Sequence, residues 1–449
     1  MDPSVLDLFQ NPKNNTLTFT ISNINSSVAN AIRRVILADI PTVVFRTFPH
    51  EKNDATFHIN TCRLNNEILK QRLSCIPIYI SDMEIDLKDY IMELDVKNDT
   101  ETTIFVTSAD FKIFNIRTDK YLADDVLNTI FPPDSITNRY IDFCRLRPKI
   151  SDNVPGEHIK LSCKFSEGTA LENGSFNVVS TCSYGNTPDP IQIEQAKAIK
   201  LAELQEKYDD ESIIKDHLED WLNLDAKRLY VPDSFNFKIE TIGVFNNQTI
   251  VQKAINIIIE RLKKITSIYS TQNNLILNSD TTIPNAFDIV LENEDYTIGK
   301  LLEYFLYTTY YIGNQSLTFC GFRKPHPHIN KSIIRIAFKE SAEKTTAAEY
   351  LISSVDLAIA FYKKLLPQFG EILSEEKMVV QSAIPMITSD KSDKAQSKAP
   401  SKAQSKAPSK ATISEQKQET EPKQESELSE IPLDIPGTTE EIEIDEKDN

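Results

Sequence analysis

The chain has 449 residues, is 40% hydrophobic and carries a net charge of −17, so it holds enough apolar side chain for two or three domain cores. Ten of those net negative charges fall in residues 415–449, where thirteen acids face three lysines. Neither portion is basic, which counts against an autonomous nucleic-acid binder, because such a protein needs a cationic footprint.

In chain order, the first predicted element is a strand over Thr16–Ser22. Leu17, Phe19 and Ile21 alternate there with threonines, the period-2 pattern of a half-buried strand. A polar turn leads to Ser26 and Ser27, either of which can cap a helix over 27–38 that stops before Pro41. Residues 48–231 then interrupt this unit as an inserted α+β domain. Its strand-like runs are Thr103–Thr107, His158–Phe165 and Phe176–Tyr184, and a charged helical stretch follows over Ile191–Asp220. Within that stretch Asp209-Asp210-Glu211 reads as a solvated helix face.

The strand–turn–helix unit recurs twice. Phe235, Phe237 and Ile239 alternate with polar residues before a helix carrying Val251, Ile255, Ile258, Leu262 and Ile265. Phe287, Ile289 and Leu291 open the next copy, with its helix over Tyr296–Tyr311. Strands over Leu317–Phe322 and Ser332–Phe338 precede a last helix of about 345–369, whose apolar seam is Leu351, Val355, Ala358, Tyr362, Leu365 and Phe369. Both long helices space their seams 4-3-4-3. That stripe suits shallow helix-on-helix packing, although each could instead pack only on its own sheet. Matching seams in repeated units favour pairing across a pseudo-twofold axis. The domain plan is therefore a first dimerisation module (10–47 plus 232–267), the inserted domain (48–231), a polar linker (268–284), a second module (285–374) and a disordered tail (385–449). The linker would span roughly 20 Å as a coil. The tail contains two copies of Lys-Ala-Gln-Ser-Lys-Ala-Pro-Ser at 394–401 and 402–409, too polar to offset the entropy of ordering.

Catalytic signatures are scarce. With ten glycines there is no Walker-type loop, Gly-x-Gly-x-x-Gly or Gly-x-Ser-x-Gly elbow, so no active site and no cofactor are expected. The six cysteines lie at least thirteen residues apart, which suits neither a zinc site nor a disulfide framework and fits buried thiols in a reducing compartment. The His326-Pro327-His328 loop is a weak metal motif lacking a third ligand; the two prolines fixing a loop explain it better. Asp295 or Thr297 can cap the helix that follows, and Gly299 permits a close approach. The first residues lack the basic start and apolar core of a secretory signal. No run approaches the ~18 apolar residues of a membrane span, so a soluble intracellular protein without membrane partners is expected.

Several blocks resemble a known family. The run Ser27-Val28-Ala29-Asn30-Ala31-Ile32-Arg33-Arg34-Val35-Ile36-Leu37-Ala38-Asp39-Ile40-Pro41 is similar to the first-helix signature of the bacterial RNA polymerase alpha subunit. The third-largest eukaryotic subunit and the archaeal D subunit share that signature. Leu64–Leu73 followed by Ile76-Pro77-Ile78 resembles the next block, and Leu146-Arg147-Pro148, His158–Ser162 and Thr181–Tyr184 resemble the family's inserted-domain strands. Glu294–Leu302 and the loop Phe319–His328 instead resemble the small archaeal L subunit, with Asp295, Thr297, Gly299, Gly321, Pro325, His326 and Pro327 as its motif. The resemblance covers about 10–372. It implies a non-catalytic alpha-like platform, two dimerisation modules in one chain, that docks the largest and second-largest polymerase subunits. Small polymerase subunits are further partners, and DNA is met only through the assembled complex. It also implies that Asn30, Arg33, Arg34, Glu67 and Arg72 face a large subunit, although the two adjacent arginines diverge by ~100° and Glu67 and Arg72 could pair locally. Val251, Ile255, Ile258, Leu262, Leu351, Val355, Leu365 and Phe369 would pack module on module. Fusion of the two subunits is a feature of large cytoplasmic DNA viruses, so a viral origin, with a place in the cytoplasmic viral factory and the virion, is a further expectation. Some relatives carry a cysteine cluster for zinc or iron–sulfur in the inserted domain; 81–140 here has no cysteine, so no metal is expected.

Overall fold

The computed structural model describes residues 2–370, apart from positions 12, 82–84, 152–153 and 272. The disordered-tail expectation for 385–449 therefore lies outside the described residues.

The chain opens with an edge strand, β1 (Ser4–Asn11), paired antiparallel to β2 (Thr16–Ser22). Helix α1 (Ser26–Ala38) follows. Its cap is Asn25, whose side chain accepts the Ser27 N–H at 2.9 Å, so neither serine takes the role expected of it. Short β3 (Thr42–Val44) leads to a second globular region with its own core around Phe45, Phe111, Phe131 and Phe143. Its elements are β4 (Ala55–Asn60), α2 (Asn66–Ser74), β5 (Tyr90–Lys97), β6 (Ile104–Thr107), β7 (Lys112–Asn115), β8 (Lys120–Tyr121), α3 (Asp124–Ile130), β9 (Asp142–Leu146), β10 (His158–Lys164) and β11 (Ser166–Gly168). A five-stranded sheet of order β4-β10-β5-β7-β8 organises them, with β6 paired to β9 and β11 to β3.

The next strand, β12 (Val179–Pro188), departs from the expected boundary. It pairs along β13 (Tyr230–Thr241), Cys182 opposite Ile239 and Tyr184 opposite Phe237, and so completes the first module's sheet, β1-β2-β13-β12. The insertion of 48–231 thus ends earlier, and Thr181–Tyr184 belongs to the first module, because Val179 and Cys182 bury against that module's core. Between β12 and β13 lie two helices, α4 (Pro190–Lys207) and α5 (Glu211–Asn223), where one charged helix was expected. The break is at Asp210, which caps α5 by accepting the Ser212 N–H at 2.8 Å; Asp209, Asp210 and Glu211 are solvent-exposed as expected, but they mark a helix start and not the face of one continuous helix.

Helix α6 (Asn247–Thr271) runs past the expected end of its module. A 3-10 turn and β14 (Ile276–Asn278) follow, and β14 pairs with β15 (Ala286–Glu292). The polar 268–284 linker is accordingly structured as far as Asn278, and Ile276 is fully buried. Helix α7 (Tyr296–Leu306) passes into a π-turn at 307–313, so the helix expected to reach Tyr311 loosens near its end. Then come β16 (Leu317–Arg323), β17 (Lys331–Phe338) and α8 (Lys344–Leu365), after which Pro367 tightens the chain into a 3-10 turn over Leu366–Phe369. The second sheet has the order β14-β15-β17-β16. Two four-stranded sheets thus enclose a layer of four helices, α1 and α6 from the first module and α7 and α8 from the second. One continuous apolar core runs through all of them.

Candidate functional site

The helix layer is where the two modules meet. α6 packs on α8 and α1 on α7, while α1 also touches α6 and α7 touches α8. Val251, Ile255, Ile258 and Leu262 of α6 are fully buried, as are Leu351, Val355 and Leu365 of α8. Tyr362 lies among them with no access to water, and burial pushes its phenol up. Phe369 reaches furthest. Its ring meets Phe19 edge-on at 5.1 Å, and Phe19 stacks flat on Phe237 at 5.0 Å. Around it, Gln252 donates from Nε2 to the Gly370 carbonyl at 2.5 Å. Gln368 accepts the Val5 N–H and donates to the Pro3 carbonyl, both at 2.8 Å. The end of the second module is therefore stitched into the sheet of the first.

At one end of the layer the contact is ionic. Arg34 of α1 pairs with Asp295 at 2.5 Å and donates through Nε to Thr297 Oγ1 at 2.7 Å. Asp295 is itself the cap of α7, accepting the Thr297 N–H at 2.8 Å. Beside it Arg261 of α6 forks between Asp39 of its own module, at 2.7 Å, and Glu294 of the other. Burial pushes the carboxyls of Asp39 and Glu294 up despite Arg261 beside them. Asp295 is also pushed up by burial, but the hydrogen bonds from Thr297 and the charges of Arg34 and Arg261 outweigh that and hold it below the usual range.

Arg34 is thus engaged inside the chain, at the module boundary, with 39% of its side chain still exposed. A helix residue that diverges by about 100° from its neighbour cannot share that neighbour's surface, and only Arg34 points at the second module. Arg33 lies half-buried and donates through Nε and Nη2 to Asn30 Oδ1 at 3.2 and 2.8 Å. Glu67 and Arg72 sit exposed on α2, in the other core region; Arg72 Nη2 donates to the Asp142 carbonyl at 2.7 Å, and Glu67 accepts from Asn65 at 3.3 Å. Glu67 also lines a cleft of about 460 Å³ with Thr47, Phe48, Lys70 and Gln71.

The remaining motif residues divide. Gly299 faces its own module: a Cβ there would lie 2.0 Å from the Phe322 ring, so the close approach serves helix-on-strand packing and not the module boundary. Gly321 lies against the Phe319 ring, where a Cβ would come within 3.0 Å. Pro325, His326 and Pro327 are exposed between β16 and β17, and His326 Nδ1 accepts the His328 N–H at 3.1 Å. Among the described residues no group of three or more His, Cys, Asp or Glu could hold a metal ion, and no helix is long and apolar enough to cross a membrane. Asp39, Arg261, Glu294, Gln252 and Gln368 were missed by sequence reasoning. The signal for Arg261 was its place beside seam residue Leu262, the flank where coiled helices carry interhelical ion pairs.

Residues 18–262 match a family model described as the RNA polymerase Rpb3/Rpb11 dimerisation domain, and residues 286–367 match a second model of the same description. The chain is 24% identical to the "Conjugation stage-specific protein" of Tetrahymena thermophila over 291 residues, 54% of this chain and 88% of that protein. It is 26% identical over 286 residues to the Dictyostelium discoideum "DNA-directed RNA polymerases I and III subunit rpac1", covering 55% and 76%. A shorter stretch of 84 residues is 32% identical to the Schizosaccharomyces pombe "DNA-directed RNA polymerase II subunit RPB3", covering 19% and 26%.

Proposed function

This chain belongs to the RNA polymerase Rpb3/Rpb11 dimerisation-domain family, and on that premise we propose that it is the assembly platform of a multisubunit DNA-directed RNA polymerase, a paired alpha-type dimer written as one polypeptide. The observation that carries the reading is the pairing of helices from two family-matching regions within a single chain, α6 on α8 and α1 on α7. A covalent connection fixes their ratio at one to one and makes pairing intramolecular, which raises effective concentration to about the millimolar range. In this reading the outer surfaces receive the two largest subunits. The first module and its insertion, presenting Asn30, Arg33 and Glu67, take the second-largest; the second module takes the largest. Arg33 suits a carboxylate partner through its planar fork.

The chain's net charge of −17 supports contact with DNA through the complex and not alone. The test is affinity purification of the tagged chain from its native source. Both large subunits should be retained at about 0.15 M salt, and Arg33→Glu combined with Glu67→Lys should release the second-largest. Retention of neither subunit by the unmodified chain would sink the proposal, and salt-sensitive DNA binding by the isolated chain would favour a nucleic-acid-binding factor instead.

A further inference from the structure

The two modules repeat one plan, with matching sheet orders and the like helices paired, α1 on α7 and α6 on α8, so the two ends of the helix layer correspond, yet chemically they are opposites. Aligning the caps Asn25 and Asp295 brings the buried positions of α1 into step with those of α7: Val28 with Ile298, Ala29 with Gly299, Ile32 with Leu302, Ile36 with Leu306. Aligning Val251 with Leu351 does the same for α6 and α8, through Ile255 and Val355, Ile258 and Ala358, Leu262 and Tyr362, and Ile265 and Leu365. In this register the partner position of Arg34 is Tyr304, that of Arg261 is Phe361, that of Glu294 is Ile24, and that of Asp295 is Asn25.

At one end, then, two cations of the first module meet two carboxylates of the second. At the other end all four corresponding positions are neutral. Ile24 and Phe361 are buried in the common core, and Phe361 packs edge-on against Phe305 at 6.0 Å. Tyr304 shares a cleft of about 520 Å³ with Asn25, Ser27 and Asn30. Lys300 lines the same cleft but is paired with Glu303 at 2.5 Å.

We propose that this one ionic pole is the code that makes the first module pair with the second and with no copy of itself. Pairing two first modules would set each Arg34 against the neutral cap Asn25, and each Arg261 would keep Asp39 but lose Glu294 to Ile24. Pairing two second modules would set Asp295 against Tyr304 and Glu294 against Phe361, leaving four carboxylates without a cation at those positions. Each self-pairing therefore strands half-buried charge at both ends, whereas the mixed pair satisfies it at one end and needs none at the other. Discrimination comes from the penalty on the wrong partner as much as from the attraction of the right one.

The wrong poles can be built inside the intact chain. Asp295→Asn places Arg34 against an Asn cap, as first-module self-pairing would, and Asn caps a helix about as well as Asp. Arg34→Tyr places a tyrosine against Asp295, as second-module self-pairing would. The double variant copies the neutral pole that already exists at the other end. In full-length protein each single replacement should lower the thermal midpoint by about 1–3 °C, and the double should recover at least half of the larger loss. The single-variant losses should shrink between about 0.05 and 0.5 M salt. Arg34→Asp with Asp295→Arg, the pair reversed, should likewise be more stable than either reversal alone. Losses that add in the double variant, or single replacements that leave the midpoint unchanged, would overturn the inference.

Discussion

Phe369→Ala tests the joint between the modules most directly. The ring is fully buried, closes edge-on against Phe19 at 5.1 Å and belongs to the 3-10 turn that follows α8 in the second module while lying on the sheet of the first. Removing a buried phenyl costs about 3–5 kcal/mol when the surroundings cannot collapse. Collapse is restrained here, because Phe19 is held by its stack on Phe237 and the backbone at Phe369 and Gly370 is held by Gln252. With a urea slope of about 3 kcal/mol per M or steeper for a chain this long, that loss becomes a fall of roughly 1 M in the unfolding midpoint. Far-UV circular dichroism follows the transition. Leu357→Ala is the control, on the preceding helix α8 but 42% exposed, and should shift stability by no more than about 0.5 kcal/mol. A fall below about 0.3 M for Phe369→Ala, or one no larger than the control's, would refute the reasoning that the second module is anchored through this ring.

Four further outcomes are expected. Arg261→Ala strands Asp39 and Glu294, both largely buried, and should cost about 3–5 kcal/mol, the penalty of breaking a buried pair by removing one member; urea unfolding measures it. Gly299→Ala drives a methyl into the Phe322 ring and should cost about 1–3 kcal/mol, the range for overpacking, with much of that loss absent in a Phe322→Ala background. In the second module Asp288 accepts from Arg335 at 2.6 Å through both oxygens, and these bonds hold its carboxyl below the usual range. Its contribution is therefore present above the unfolded carboxylate value and is lost as pH falls through the lowered folded one, so Asp288→Asn should flatten the acid limb of a stability–pH profile. Native protein at pH 8 should release one fast thiol to an aromatic disulfide reagent, exposed Cys75, while Cys144, Cys182 and Cys320, pushed up to about 12 by burial, react slowly.

Periodicity made the repeated units legible. The alternation at Phe235–Ile239 and Phe287–Leu291 and the 4-3 seams of α6 and α8 depend only on residues a few positions apart, which is the range over which strand and helix geometry act. The partners of those elements were harder to read. β12 looks like any other strand of the insertion, and only its pairing with β13 places it in the first sheet. Arg34 and Asp295 lie far apart in sequence and carry no local sign of each other, whereas the cap Asp295 was visible because its role is satisfied two residues on. Asp210 was misread for the complementary reason: an acid starting a helix and an acid on a helix face look the same until the chain's turn is seen.

The pairing of Phe19 with Phe237 at the centre of the first sheet also sets a timetable. At about 5–20 residues per second of synthesis, β2 emerges and then waits on the order of ten to forty seconds for β13, with Leu17, Phe19 and Ile21 lacking their neighbour. The insertion fills that interval with a core of its own, since its five-stranded sheet draws on no strand made after β10. The first module is thus the earliest to begin and among the last to close, and α8 arrives only after it can be received. A ribosome pause placed just before Tyr230 would lengthen the exposure of β2, and one placed after Thr271 would not.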